Sequence, residues 1–236
     1  MKFYTLILSS LVASSALAFD FFDKKVSESD FFITGLSKEC QNDINNISEF
    51  KECLHVNVNK DNHVEVCKQL YSDKCKKFYG DPMSYTPNCA KDTKIIDEFS
   101  MIDLYLASNK HLCQLDSKGD ICPSTEATLN NERIDDKTLE NVCKSKICTN
   151  NFKNLLFESL KNTDKVAALY PDRNIQSDET KINLSLQMEY LRSDKCTNLA
   201  TDNILASKFI YEESGSDRIT ISIFTILNLL LLLLLL

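Results

Sequence analysis

From Ser37 onward apolar residues return every three or four positions, the spacing of helices with one buried face. Cys40, Ile44, Ile47, Phe50 and Leu54 form the first stripe, with Cys53 off it, placed to close the helix or tie it elsewhere. Val64, Cys67, Tyr71, Cys75 and Phe78 form a second, stopped by Gly80-Asp81-Pro82. Ile95, Phe99, Ile102, Leu106 and Cys113 form a third. Leu139, Val142 and Cys143, then Phe152, Leu155, Leu156 and Leu160, predict two shorter helices around Cys148. Asp164 to Tyr170 predicts one more, ended by Pro171. Ile182, Leu184, Leu186, Met188 and Tyr190 alternate with polar residues, which is the strand pattern. Leu, Gln, Met and Glu favour helix, however, and no strand partner lies nearby, so the segment is assigned to helix. The expected fold is all-α: a compact, disulfide-stapled helical domain over residues 37–200. An arm at 19–36 precedes it, with Phe19, Phe21, Phe22, Phe31 and Phe32 in no clear period. No repeat of fixed period stands out.

The two ends follow other patterns. Met1-Lys2, the apolar run Phe3 to Val12, and small residues closing on Ala16-Leu17-Ala18 are the three parts of a secretory signal peptide, residues 1–18. As a membrane anchor the run is short for about 30 Å of hydrocarbon, and Ser9, Ser10, Ser14 and Ser15 dilute it. Ile219 to Leu236 ends in eight leucines from Leu229, apolar enough for a spanning helix. No Lys or Arg follows that run, and Ser214-Gly215-Ser216 and the polar pair Asp217-Arg218 precede it. Small residues, a short polar spacer and an apolar tail form the pattern of a GPI-attachment signal. The expectation is lipid attachment at Ser214, a linker over 201–214, removal of 215–236, and the outer leaflet of the plasma membrane as a partner.

Composition narrows the class. Hydrophobic residues at 43% and charged residues at 26% suffice for a packed core. Four Gly and four Pro cannot supply the tight turns of sandwiches and barrels or the phosphate loops of nucleotide-binding folds. A net charge of −7 lacks the electrostatic footprint of a nucleic-acid binder, so no nucleic acid is expected as a partner. Cys40, Cys53, Cys67, Cys75, Cys89, Cys113, Cys122, Cys143, Cys148 and Cys196 all lie inside the expected mature chain. In a secreted protein they read as up to five disulfides, whose connectivity spacing leaves open. Zinc would want paired C-x2-C knuckles, whereas Cys143-x4-Cys148 has no matching pair and His55, His63 and His111 stand alone. No metal or cofactor is expected. Asn46-Ile47-Ser48 and Asn183-Leu184-Ser185 are acceptor sequons, so Asn46 and Asn183 are expected glycan sites.

Glu39-Cys40, Glu52-Cys53, Cys67, Ser72 to Pro82 around Cys75, Cys89, Cys143 to Cys148, and Ser193-Asp194-Lys195-Cys196 together resemble a group of secreted cysteine-rich proteins of anaerobic gut fungi. The resemblance implies secretion and a cysteine framework, and no reaction.

A search for catalytic residues returns none. No G-x-S-x-G, H-E-x-x-H or P-loop occurs. His55 and His63 flank a polar loop and His111 ends a predicted helix, positions read as solvated. Asp135-Asp136 precedes a helix, where negative charge suits the dipole, and Glu212-Glu213 reads as a solvated pair. Lys74, Lys76 and Lys77 share a helix with Asp73 and read as a solvated face. The expected protein is a non-enzymatic, GPI-anchored ectodomain for adhesion, capture of an extracellular ligand, or cell-wall or coat structure. The alternatives are a cysteine-rich lipid-binding module and a phospholipase-like hydrolase.

Overall fold

Four helices begin on the same tetrapeptide, Ser-x-x-Cys. The serine sits outside the helix and its hydroxyl accepts the backbone N–H of the cysteine three residues on: Ser37 from Cys40 at 3.1 Å, Ser72 from Cys75 at 3.3 Å, Ser145 from Cys148 at 3.2 Å and Ser193 from Cys196 at 3.4 Å. A helix start leaves four N–H groups without a carbonyl partner, and a serine in this place satisfies one of them.

The computed structural model describes residues 36–54, 58–130, 132–169, 175–201 and 208–209. The predicted leader, nearly all of the arm, and the attachment segment with Ser214 and Glu212-Glu213 lie outside these residues. Helix α1 spans Lys38–Asn46 and runs into a 3-10 segment, Ile47–Leu54. Then come α2 (His63–Leu70), α3 (Asp73–Gly80), two 3-10 turns, α4 (Thr93–Phe99) and α5 (Ile102–Cys113). Strand β1 (Gln114–Leu115) leads to α6 (Pro123–Leu129), α7 (Asp136–Cys143), α8 (Lys146–Leu169), α9 (Ser177–Arg192) and α10 (Asp194–Thr197). Strand β2, Lys208–Phe209, returns to pair antiparallel with β1, Gln114 opposite Phe209. The fold is all-α apart from this pair, as the periodicity predicts. No helix of the described residues is long and apolar enough to cross a membrane.

All ten cysteines pair: Cys40–Cys89, Cys53–Cys75, Cys67–Cys113, Cys122–Cys148 and Cys143–Cys196. One construction appears twice. Cys67 on α2 is followed by the capped Cys75 of α3; Cys75 pairs backward with Cys53 and Cys67 forward with Cys113. Cys143 at the end of α7 is followed by the capped Cys148 of α8; Cys148 pairs backward with Cys122 and Cys143 forward with Cys196. Two successive helices are thus pulled in opposite directions along the chain. Closing loops of 22 to 53 residues stabilises by roughly 3–4 kcal/mol each in the chain-entropy account.

The core is continuous but changes character along the chain. Phe50 stacks on Phe78 at 4.9 Å between ring centroids and meets Tyr85 edge-on at 4.6 Å. Around the long α8 the buried apolar side chains are mainly aliphatic, Val142, Leu156, Leu184 and Leu191 among them, with Phe152 the aromatic exception. Helix α8 lies between α5 and α9 and runs antiparallel to α5, with Asn151 near Lys110 and Lys161 near Asp103.

Several phases differ from the sequence expectation. The second stripe is two helices, because Ser72 caps a fresh start and breaks the period after Leu70. His63, Val66, Cys67 and Leu70 face inward, which leaves Val64 52% exposed. The third stripe also breaks, at Ser100-Met101, and Met101 rather than Leu106 is buried there. Asp164 to Leu169 is no separate helix but the last turns of α8. The alternating segment is helical, within α9; its Leu184, Met188 and Leu191 are buried while Ile182 and Leu186 are exposed, so helical spacing overrides the alternation.

Candidate functional site

A buried polar arrangement lies where α5 ends. The last carbonyls of a helix have no intrahelical donor, and here the helix end is enclosed on several sides. Asn151 of α8 donates its Nδ2–H to the Lys110 carbonyl at 3.0 Å, and Thr125 of α6 its hydroxyl to the His111 carbonyl at 2.6 Å. The Nε2–H of His63, on α2, donates to the Leu112 carbonyl at 2.6 Å. Three successive carbonyls are therefore held by side chains from three helices. The disulfides Cys67–Cys113 and Cys122–Cys148 flank the junction.

Both histidines are buried, at 2% and 3% exposure, which corrects the reading of them as solvated. The cause is packing: α2 starts at His63 with that residue inward, and the His111 ring lies 5.3 Å from Phe152. Burial pushes the His63 pKa down, the Leu112 carbonyl partly opposing it. Burial pushes His111 further, to about 4, with a smaller opposing contribution from the Ser124 backbone. Among the described residues neither His111 nitrogen has a partner in hydrogen-bonding geometry, and the same holds for Ser124 Oγ and Asn151 Oδ1. The sequence signal for this junction was slight, a histidine two residues before a cysteine. Neither histidine bonds a carboxylate here, as a catalytic base held in one tautomer would.

A second buried set holds the 3-10 segment. The hydroxyls of Tyr79 and Tyr105 both donate to the Cys53 carbonyl, the former at 2.7 Å, and Asn109 Nδ2 approaches Tyr79 Oη at 3.4 Å. Burial raises both phenols well above their ordinary range.

The other sequence candidates are placed as follows. Asp135 caps α7, accepting from the Thr138 N–H at 2.8 Å; that bond, with the Thr138 hydroxyl, holds its carboxyl below the usual range. Lys74, exposed, donates to the Glu49 carbonyl and lies 5.3 Å over the Phe50 ring, while Lys76 pairs with Asp73 at 3.9 Å. Asn46 is exposed at the end of α1. Asn183 is half-buried in α9 and donates its Nδ2–H to the Glu179 carbonyl at 2.8 Å. Among the described residues no group of three or more His, Cys, Asp or Glu could hold a metal ion.

The fold and its buried junctions define a class: an all-helical domain stapled by five disulfides. That usage of cysteine suggests a secreted or extracellular protein. Set against family models, curated proteins and solved structures, the chain matches none.

Proposed function

We propose that this protein is a non-enzymatic ectodomain, GPI-anchored at Ser214 on the outer face of the plasma membrane, serving adhesion, ligand capture, or wall or coat structure. The observation that carries the reading is the complete pairing of the ten cysteines, which suits an oxidising exterior. The leader-like residues 1–18 and the small-residue and leucine-rich pattern from Ser214 add the address. Several polar residues of the described domain act as caps and core ties: Asp135 on Thr138, His63 on Leu112, Ser145 on Cys148.

The test is release from intact cells by a phosphatidylinositol-specific phospholipase, with mass spectrometry of the released C-terminus. The expected result is a chain ending at Ser214 or an adjacent residue and bearing the anchor remnant. Retention of Leu229 to Leu236 in the mature protein would contradict the anchor and leave a membrane-inserted tail.

A further inference from the structure

His111 is the feature that neither the fold nor the proposed function uses. The His111 ring lies beside Phe152 of α8 and near the Ser124 backbone of α6, while Thr125 and Asn151 hold the carbonyls of His111 and Lys110; all of these are uncharged, as is Gln114, the first residue of β1. From α2 comes His63, one carbonyl away on Leu112, the titratable member of this set. Lys110, the neighbouring charge on α5 itself, is exposed and cationic. Among the described residues no carboxylate belongs to the set. A neutral imidazole is accommodated there as a flat ring beside Phe152.

The geometry points to an acid-operated joint at the end of α5, in which protonation of His111 loosens α6 and α8 from that end and frees the β1–β2 pairing. An imidazolium carries two N–H donors, and a buried charge without a partner is costly. With no countercharge beside it, the ring reaches water only by displacing the helices that enclose it. His63 responds differently: as a cation it still donates to the Leu112 carbonyl, at a helix C-terminus where positive charge is favoured. The disulfides Cys67–Cys113 and Cys122–Cys148 hold the same elements together covalently, so the opening stays local and reverses when pH is restored.

Hydrogen exchange of the secreted protein, corrected for intrinsic rates and compared at pH 7 and pH 4.5, tests this. Peptides covering 110–115, 122–126 and 148–152 should lose protection together, on the order of fiftyfold, since an opened histidine titrates near 6.5 and the closed one near 4. A peptide covering 75–80, in the aromatic part of the core, should change far less. His111→Phe should abolish the acid response and His63→Gln should leave most of it. Unchanged protection at 110–115 in the unsubstituted protein, or an equal loss in His111→Phe, would overturn the joint. Should His111→Phe fail to fold, His111→Gln, which also cannot titrate, takes its place: a lost acid response supports the joint, and a response equal to the parent's overturns it.

Discussion

The Cys75 amide donates to the Ser72 hydroxyl at 3.3 Å, so the residue that closes the disulfide to Cys53 is also the one its helix cap holds. Cap and crosslink are thereby one construction, and it recurs at Ser37, Ser145 and Ser193. Ser72→Ala should destabilise the domain by about 1 kcal/mol, lowering Tm by roughly 2–4 °C, while Ser72→Asp should be near neutral. Thermal melts of the two variants check this. Equal losses in both would mean that the hydroxyl is not acting as a cap.

The phenols of Tyr79 and Tyr105 converge on the Cys53 carbonyl. Either Phe substitution alone leaves that carbonyl one donor, whereas Tyr79→Phe with Tyr105→Phe leaves it buried and unpaired. The double variant should therefore lose more than the sum of the singles, by about 1 kcal/mol in a double-mutant cycle.

The same pair sets an alkaline limit. Both folded phenols have raised pKa values, so the folded state holds protons that the unfolded chain releases near pH 10. Their contribution is fully present below that point and is lost as pH rises toward the folded values. Denaturant midpoints of the parent should fall between pH 9.5 and 11 more steeply than those of the double Phe variant.

The two sequons differ in setting. Asn46 is exposed, while the Asn183 amide nitrogen, the atom that would carry the sugar, donates to Glu179. Peptide mapping after enzymatic glycan release in oxygen-18 water should find Asn46 labelled to the greater extent. Greater labelling at Asn183 would mean that attachment precedes the formation of α9.

Removing either the Cys53–Cys75 or the Cys143–Cys196 bridge by paired Cys→Ala substitution should destabilise by roughly 3–4 kcal/mol. Sequence separations of 22 and 53 differ little on a logarithmic scale, so the longer loop should cost only about 0.8 kcal/mol more. Urea midpoints of the two variants check the pair.

Much of the fold is legible in the chain because three- and four-residue spacing marks a helix whichever side it buries. Phase is less legible. Val64 and Leu106 look like core members by hydrophobicity, yet His63 and Met101 take the inward places. Helix starts decide this: α2 opens after Asn62 and α5 after Met101, without the Ser-x-x-Cys tetrapeptide that opens four other helices and that reads as cysteine spacing until the caps are seen. The length of α8 was hidden by Asn162, Thr163 and Asp164, polar residues that suggest a break. Asn162 and Thr163 instead bond carbonyls one turn back in the same helix, and Asp164 pairs with Lys181 of α9. The junction at His111 stayed unread because its partners, Thr125 and Asn151, lie on other helices 14 and 40 residues away.

The framework of interleaved crosslinks between capped helices is tested most directly by mapping disulfides in the protein recovered from the cell exterior. Partial digestion and mass spectrometry under non-reducing, acidic conditions should return Cys40–Cys89, Cys53–Cys75, Cys67–Cys113, Cys122–Cys148 and Cys143–Cys196, with no free thiol. A Cys143–Cys148 or Cys67–Cys75 bridge, or a thiol open to alkylation in the folded protein, would contradict it.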